Sequence, residues 1–260
     1  MSQPRLVQLD ARRRACRPTL VVVAHGSRDP RALSTVRALL DDVRARRPGL
    51  PVRLGHIELN EPLLTDTLAE LDARGTEDAV LVPLLLARGH HVKRDIPEAA
   101  AAAVRVRTRV AAPLGPHPLL VDALLARLVE AGWRTDMTPR ERAASAVVLA
   151  AAGSRDPDSA VDTRRTAQLL AERLGVPVVP AYASTAAPTV PTALRALAAR
   201  GRDRVAVASC FTAPGRFATE CAQAAPWIAS APLGTHPAMA GLLLHRYDRA
   251  LAAGAESSAA

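Results

Sequence analysis

Aromatic side chains are scarce in this chain: Phe, Tyr and Trp occur twice each, 2% of 260 residues. A flat ligand must therefore be held mainly by aliphatic walls and polar clamps rather than by stacked rings. Cysteine is scarce too. Cys16, Cys210 and Cys221 are odd in number and form no CxxC pair, which argues against a disulfide framework and fits a reducing, cytoplasmic setting. Long apolar runs are missing: none approaches the roughly 20 residues that a membrane-spanning helix needs. The Arg12-Arg13-Arg14 cluster is followed only by the short stretch Leu20–Ala24, which is a strand pattern and not a signal peptide. No Walker A sequence is present, so a phosphate cradle for ATP is not expected.

Positive charge is plentiful. Lys and Arg number 34 against 25 Asp and Glu, a net +9, which points to an acidic partner without naming it. The arginines are spread along the whole chain, with no zinc knuckle, RNP-like aromatic signature or homeodomain-like helix. Nucleic acid is therefore not expected, and a small anionic substrate fits better. The length suits two ordinary domains, and an apolar fraction of 49%, built from Ala, Leu and Val, supports a sizeable core.

Short β-type runs alternate with amphipathic helical stretches. Thr19–Ala24 is apolar and β-branched and leads into His25-Gly26-Ser27-Arg28-Asp29-Pro30. Leu33, Val36, Leu40 and Val43 then recur at helical spacing, with Asp29 as N-cap and Pro30 at the first position. Pro51–Glu58 reads as the next strand. Ala79–Leu86 is a third, apolar as a buried parallel strand should be, and Arg109–Leu114 a fourth. Strands separated by helices imply an open parallel sheet.

The pattern then starts again. Gly26-Ser27-Arg28-Asp29-Pro30 recurs as Gly153-Ser154-Arg155-Asp156-Pro157, displaced by 127 residues, and Ala112-Pro113-Leu114-Gly115-Pro116-His117-Pro118 as Ala231-Pro232-Leu233-Gly234-Thr235-His236-Pro237, displaced by 119. The chain is thus an internal duplication. Its fold class is α/β: two tandem similar domains, each a roughly four-stranded parallel sheet flanked by helices, with the active site in the cleft between them. The expected boundaries are a tail over 1–17, a first domain over 18–131, a linker over 132–144 containing Pro139, a second domain over 145–252 and a tail over 253–260.

Three metal-capable positions follow successive strands of the first half: His25, Glu58, and the pair His90 and His91 in Gly89-His90-His91-Val92-Lys93-Arg94-Asp95-Ile96-Pro97. Open parallel sheets bind ligands beyond the carboxyl ends of their strands, so these side chains can converge on one crevice. Two imidazoles and a carboxylate suit a first-row divalent ion with coordination positions left open. The duplication supplies an internal control. His25 maps to Ala152, and aligning Pro62 with Pro188 and Gly89 with Gly215 puts Ser184 opposite Glu58 and Phe217 opposite His91. The candidate ligands are lost in the second half while the turn and capping residues persist, which separates chemistry from architecture.

His117 has a counterpart in His236, so both read as architectural, as helix caps. His56 reads as a strand histidine, with an auxiliary ligand or base as the alternative. His245 reads as a surface or packing residue and Cys210 as a small buried hydrophobe.

His-Gly-Ser-Arg after a first strand, Glu58 four residues before Pro62, and Gly-x-His-Val-x-x-Asp-Ile-Pro after a third strand resemble the class II chelatases, the CbiX and SirB type, that insert metal into sirohydrochlorin. The resemblance implies a long fused two-copy form with one site retained in the first half. It implies His25 and His91 as metal-site histidines and Glu58 as the acidic active-site residue, together forming the metal set. His56 stands where the family usually has an apolar residue. The implied substrates are sirohydrochlorin and Fe²⁺ or Co²⁺, with Ni²⁺ less favoured, used without ATP in sirohaem or cobalamin synthesis by a monomer or homodimer. Ser27, Arg28, Arg88, Lys93 and Arg94 from the first half, with Arg155 and Arg216 from the second, are the candidate clamps for the carboxylates of the tetrapyrrole. A carrier that binds without catalysing is the alternative from another class. A phosphotransfer histidine at His25-Gly26 ranks below both, because Ala24 stands where an arginine is expected and no second phosphate clamp is evident.

Overall fold

A computed structural model describes residues 17–258 of the chain. The first half contains β1 (Thr19–Ala24), α1 (Pro30–Arg46), β2 (Val52–His56), α2 (Leu64–Ala73), β3 (Asp78–Pro83), α3 (His90–Lys93), α4 (Asp95–Ala101), β4 (Arg107–Val110) and α5 (Pro118–Glu130). The second contains α6 (Pro139–Ala144), β5 (Ser145–Ala151), α7 (Pro157–Leu174), β6 (Val178–Tyr182), α8 (Val190–Ala198), β7 (Arg204–Ser209), α9 (Arg216–Gln223), β8 (Ile228–Ala229) and α10 (Pro237–Ser258). Each half forms an all-parallel four-stranded sheet, in the orders β2-β1-β3-β4 and β6-β5-β7-β8. β1 and β5 lie inside their sheets and are buried along their whole length, as unbroken apolar runs require. Asp29 and Asp156 cap α1 and α7 through their carboxylates, with proline at the first turn of each helix.

Three strands and two helices differ from the expectation. β2 ends at His56 because the chain turns there: Glu58 N donates to His25 O, Asn60 N donates to Glu58 O, and Leu59 takes a φ of 68°. β3 stops at Pro83, since Leu84, Leu85 and Leu86 are apolar for a different reason, as part of a cavity wall. β4 starts at Arg107, which pairs with Asp78 in register and grips its carboxylate with two hydrogen bonds of 2.9 and 2.7 Å. The stretch 132–144 includes the helix α6, closed by a capping box between Thr138 and Glu141. α10 runs through Ser258, so residues 253–258, expected as a tail, are helical. The remainder of both expected tails lies outside the described residues, as does Cys16.

The last helix of each half crosses to the other. α5 packs on α7 and β7, and α10 packs on α1, β3 and β4. The crossing is pinned reciprocally at the 119-residue displacement. Arg127 donates to Leu233 O at 2.9 Å, and Arg246 donates to Leu114 O at 3.1 Å. His117 Nδ1 accepts from Leu119 N and His236 Nδ1 from Ala238 N, so each histidine caps its crossing helix, as the repeat suggested. The exchange gives the molecule one continuous central core, from Leu20 and Val22 through Leu124 to Val147, Leu149 and Tyr247. Smaller apolar clusters lie on the far face of each sheet. His245 sits against the His117 ring, 4.7 Å between centroids, in a packing role.

Candidate active site

The carboxyl ends of both sheets face a cavity of about 670 Å³ between the halves. Its first-half wall carries Ser27 and Arg28 from the turn after β1, His56 at the end of β2, and His90 and His91 on α3; its second-half wall carries Ser154, Phe211, Arg216 and Phe217. Both phenylalanines of this aromatic-poor chain thus lie on the wall opposite the histidines. The walls mirror one another. A Cβ on Gly89 would lie 3.5 Å from Ser154 Oγ, and one on Gly215 would lie 3.7 Å from Ser27 Oγ.

Three sequence-distant residues meet at this cavity. The rings of His25 and His91 stand edge to face, 4.8 Å between centroids and 87° between planes. His25 Nε2 lies 3.6 Å from Glu58 Oε1, with Glu58 in the turn beside the cavity lining. That turn is tight because Gly26 has a φ of 101° and its α-carbon abuts strand-end backbone: a Cβ there would sit 1.8 Å from Glu58 O. Only glycine leaves the space that brings His25 and Glu58 side by side. Among the described residues no three His, Cys, Asp or Glu side chains already enclose a common ion position; His25, Glu58 and His91 are neighbours in pairs.

A carbonyl can only accept, so His25 Nδ1 donates to Gly26 O across 3.2 Å and Nε2 is the ring nitrogen that faces Glu58. His91 Nδ1 is hydrogen-bonded to Asp95 Oδ2, which leaves Nε2 outside that bond. Asp95 also reaches His90, its Oδ1 lying 3.5 Å from Nε2. The sequence reading left Asp95 without a role, although its four-residue spacing from His91 on helical backbone carried the signal. His56 is buried, donates from Nδ1 to Pro62 O at 3.1 Å, and is held below the ordinary histidine range by desolvation. Its Nε2 has no hydrogen-bond partner among the described residues. Cys210 forms part of the second-half wall, its thiol pushed up to about 12 by burial; Cys221 beneath that wall is raised to about 11.

The expected carboxylate clamps divide. Ser27, Arg28 and Arg216 line the cavity, and Arg28 has no ion-pair partner among the described residues. Arg216 stacks over the Phe217 ring at 4.7 Å and lies 3.9 Å from Glu220. Arg88, Lys93, Arg94 and Arg155 do not line it. Arg94 and Arg155 are exposed beyond its rim, while Arg88 and Lys93 are turned away into ion pairs with the second half: Arg88 with Asp162, and Lys93 with Asp156 and Asp158.

The CbiX family model matches this chain twice, over residues 19–131 and 146–250. The chain belongs to the CbiX family. A sirohydrochlorin ferrochelatase of Bacillus subtilis is 32% identical over 175 residues, 65% of this chain and 64% of that protein. A sirohydrochlorin cobaltochelatase of Methanococcus aeolicus is 35% identical over 79 residues, 30% of this chain and 55% of that one. The chain thus spans between about half and two thirds of the length of these two relatives. Among solved structures, SirB from Bacillus subtilis with Fe³⁺ superposes with a TM-score of 0.73 at 24% identity, over 90% of this chain and 96% of that one. That superposition bears out the two-sheet α/β fold. No described helix of this family member is long and apolar enough to cross a membrane.

Proposed function

We propose that the chain is a sirohydrochlorin chelatase, inserting Fe²⁺ or Co²⁺ into the tetrapyrrole without ATP. One observation carries the reading. Two imidazoles and a neighbouring carboxylate stand at a cavity enclosed by both halves, each imidazole held through Nδ1, and the second half has lost the equivalents of all three. The names of the curated relatives supply the substrate class.

In this reading the divalent ion is a substrate. His25 and His91 offer it nitrogen donors and leave positions open for the ring nitrogens. Insertion exchanges the ion for two pyrrole N–H protons. Glu58, beside His25 and half exposed, accepts the two protons one after the other and passes each to solvent. Arg28 and Arg216 on opposite walls, with Ser27, receive the carboxylates of the ring, and the apolar second-half wall covers one of its faces. Both walls come from one chain, so a monomer is a sufficient catalytic unit, working in the cytoplasm. The ligand set accepts Fe²⁺, Co²⁺ and Ni²⁺ alike, and cellular supply, as much as affinity, decides which is inserted and whether the product serves sirohaem or cobalamin synthesis.

The test is an anaerobic absorbance assay with sirohydrochlorin and, separately, Fe²⁺, Co²⁺ and Ni²⁺ in excess over the chain. Multiple-turnover spectral change is expected, and its loss in the double variant His25→Ala/His91→Ala with the fold intact. A shift that stops at one equivalent would favour a carrier instead. Undiminished turnover in the double variant would overturn the site.

A further inference from the structure

The turn that carries His91 is held from the other half of the molecule. Asp162, on the second turn of α7, is buried, its side chain only 4% exposed. It accepts from Arg88 N at 2.8 Å, from Arg88 Nε at 3.0 Å and from Arg88 Nη2 at 2.7 Å. Backbone and guanidinium of one residue are therefore gripped by a single carboxylate. On the other side of His91, Lys93 Nζ lies 2.8 Å from both Asp156 Oδ1 and Asp158 Oδ2 at the start of the same helix. The two anchors bracket His90 and His91, three residues before His91 and two after.

The duplication shows that this is not a generic property of the interface. At the displacements that align the halves, Asp158 and Asp162 correspond to Arg31 and Thr35 on α1, and Arg88 and Lys93 correspond to Pro214 and Thr219 before and within α9. Thr35 and Pro214 line the same shallow hollow between the halves, and no ion pair links them among the described residues. The mirrored position keeps an acid, Asp29 for Asp156, but Asp29 pairs with Arg31 of its own helix and Arg216 lies near Glu220 of its own. Of these two mirrored contacts, ion pairs cross between the halves only at the one whose braced turn carries metal-capable histidines.

We infer that the second half is a brace for the first, with Asp162 as a positioning residue that fixes the His91 turn through Arg88, and with Lys93 as the lesser anchor. The inference rests on the reading of His25 and His91 as metal donors. Arg88 fastened both by its backbone and by its fork limits the motion of residues 88–93, so that His91 Nε2 is presented at a constant distance from His25. A donor on a loose turn would have to be ordered anew by each ion, at a cost in affinity.

The experiment uses the full chain and Co²⁺ alone, followed anaerobically by its visible absorption, beside backbone hydrogen exchange over residues 85–93. Asp162→Asn is expected to weaken Co²⁺ binding about 10- to 100-fold, the range found when groups that orient metal ligands are removed, and to speed exchange in the turn. Asp248→Asn is the control. It breaks the bidentate Arg47–Asp248 pair, which also joins the halves but lies away from the turn. Its unfolding midpoint should fall while Co²⁺ affinity stays within about twofold of wild type, as expected of an independent site. Wild-type affinity and spectrum in a folded Asp162→Asn would overturn the brace, whatever its stability. Should that variant not fold, Lys93→Gln, at a surface position, must weaken Co²⁺ binding in the same direction; unchanged binding there overturns the inference. If the wild-type chain binds no Co²⁺, the metal reading fails and the brace with it, an outcome distinct from the other two.

Discussion

The two halves of this molecule share a frame and differ in what the frame presents. Both place a glycine of positive φ after the first strand, Gly26 at 101° and Gly153 at 92°, and both press it against the backbone that follows the second strand, at Glu58 O and Ser184 O. Both put a left-handed residue next, Leu59 and Thr185, and both cap the crossing helix with a histidine. At the tips of this frame His25, Glu58, His91 and Asp95 in one half stand opposite Ala152, Ser184, Phe217 and Cys221 in the other. What persists in both is what the backbone needs; what differs is whether these positions carry metal-capable side chains. Duplication followed by loss separates the two kinds of residue inside a single chain, without recourse to a relative.

The sharpest way to break that comparison is at its glycines. A Cβ at Gly26 would sit 1.8 Å from Glu58 O and one at Gly153 2.1 Å from Ser184 O. Gly26→Ala and Gly153→Ala are each expected to lose about 3 kcal/mol of stability by denaturant unfolding, from strained backbone and forced displacement of a carbonyl. Only Gly26→Ala should also abolish metal insertion, because only there does the displaced turn carry His25 and Glu58. Equal activity losses in both would show that the turn at Gly153 is as necessary to the reaction as the turn that carries His25 and Glu58.

A smaller effect is expected at Asp95. Asp95→Asn leaves the His91 ring without its carboxylate partner and should weaken Co²⁺ binding about 10- to 100-fold in a titration, with little change in unfolding midpoint. Its counterpart Cys221 is a buried thiol below the wall, so Cys221→Ser should leave Co²⁺ binding unaltered.

The smallest effects belong to the capping histidines, where the halves should behave alike. His117→Ala and His236→Ala should each cost about 1 kcal/mol as lost caps and leave the metal site untouched. Desolvation lowers both residues from the ordinary value of 6.5, and neighbouring arginines, Arg246 and Arg127, add to the shift. The unfolded chain therefore binds more protons than the folded one below that value. Stability supplied by the neutral caps is present above pH 6.5 and lost as pH falls through the lowered folded values. His117→Asn/His236→Asn, which can cap without titrating, should flatten that decline in a thermal unfolding series.

Much of this arrangement was legible before any coordinate. The buried run Thr19–Ala24, the Asp29 and Pro30 helix start and the repeated Gly-Ser-Arg-Asp-Pro signature are local: each depends on side chains a few residues apart, and so they fix strand, cap and duplication directly. His25, Glu58 and His91 were legible because they follow strand ends and vanish from the second copy. The surroundings of the candidate clamps were not legible: the structure puts Arg88 and Lys93 in ion pairs with α7. A carboxylate 74 residues away leaves no trace in the local sequence. Asp95 escaped notice although its spacing from His91 was visible, because whether residues 90–95 form helical turns depends on the loop before them.

Sequence alone determined the α/β class, the two-copy plan and the family resemblance, and it singled out the first half as the candidate seat of the chemistry, since periodicity, capping and motif spacing act over short stretches of chain. Tertiary structure alone decided that α5 and α10 exchange between the halves to make one core, that the cavity is walled by both, and that Asp162 grips Arg88. Those facts rest on contacts between segments up to more than a hundred residues apart, such as Arg246 on Leu114 O. Which distant groups meet is set by how the apolar faces of two sheets are buried together, a property of the packed whole.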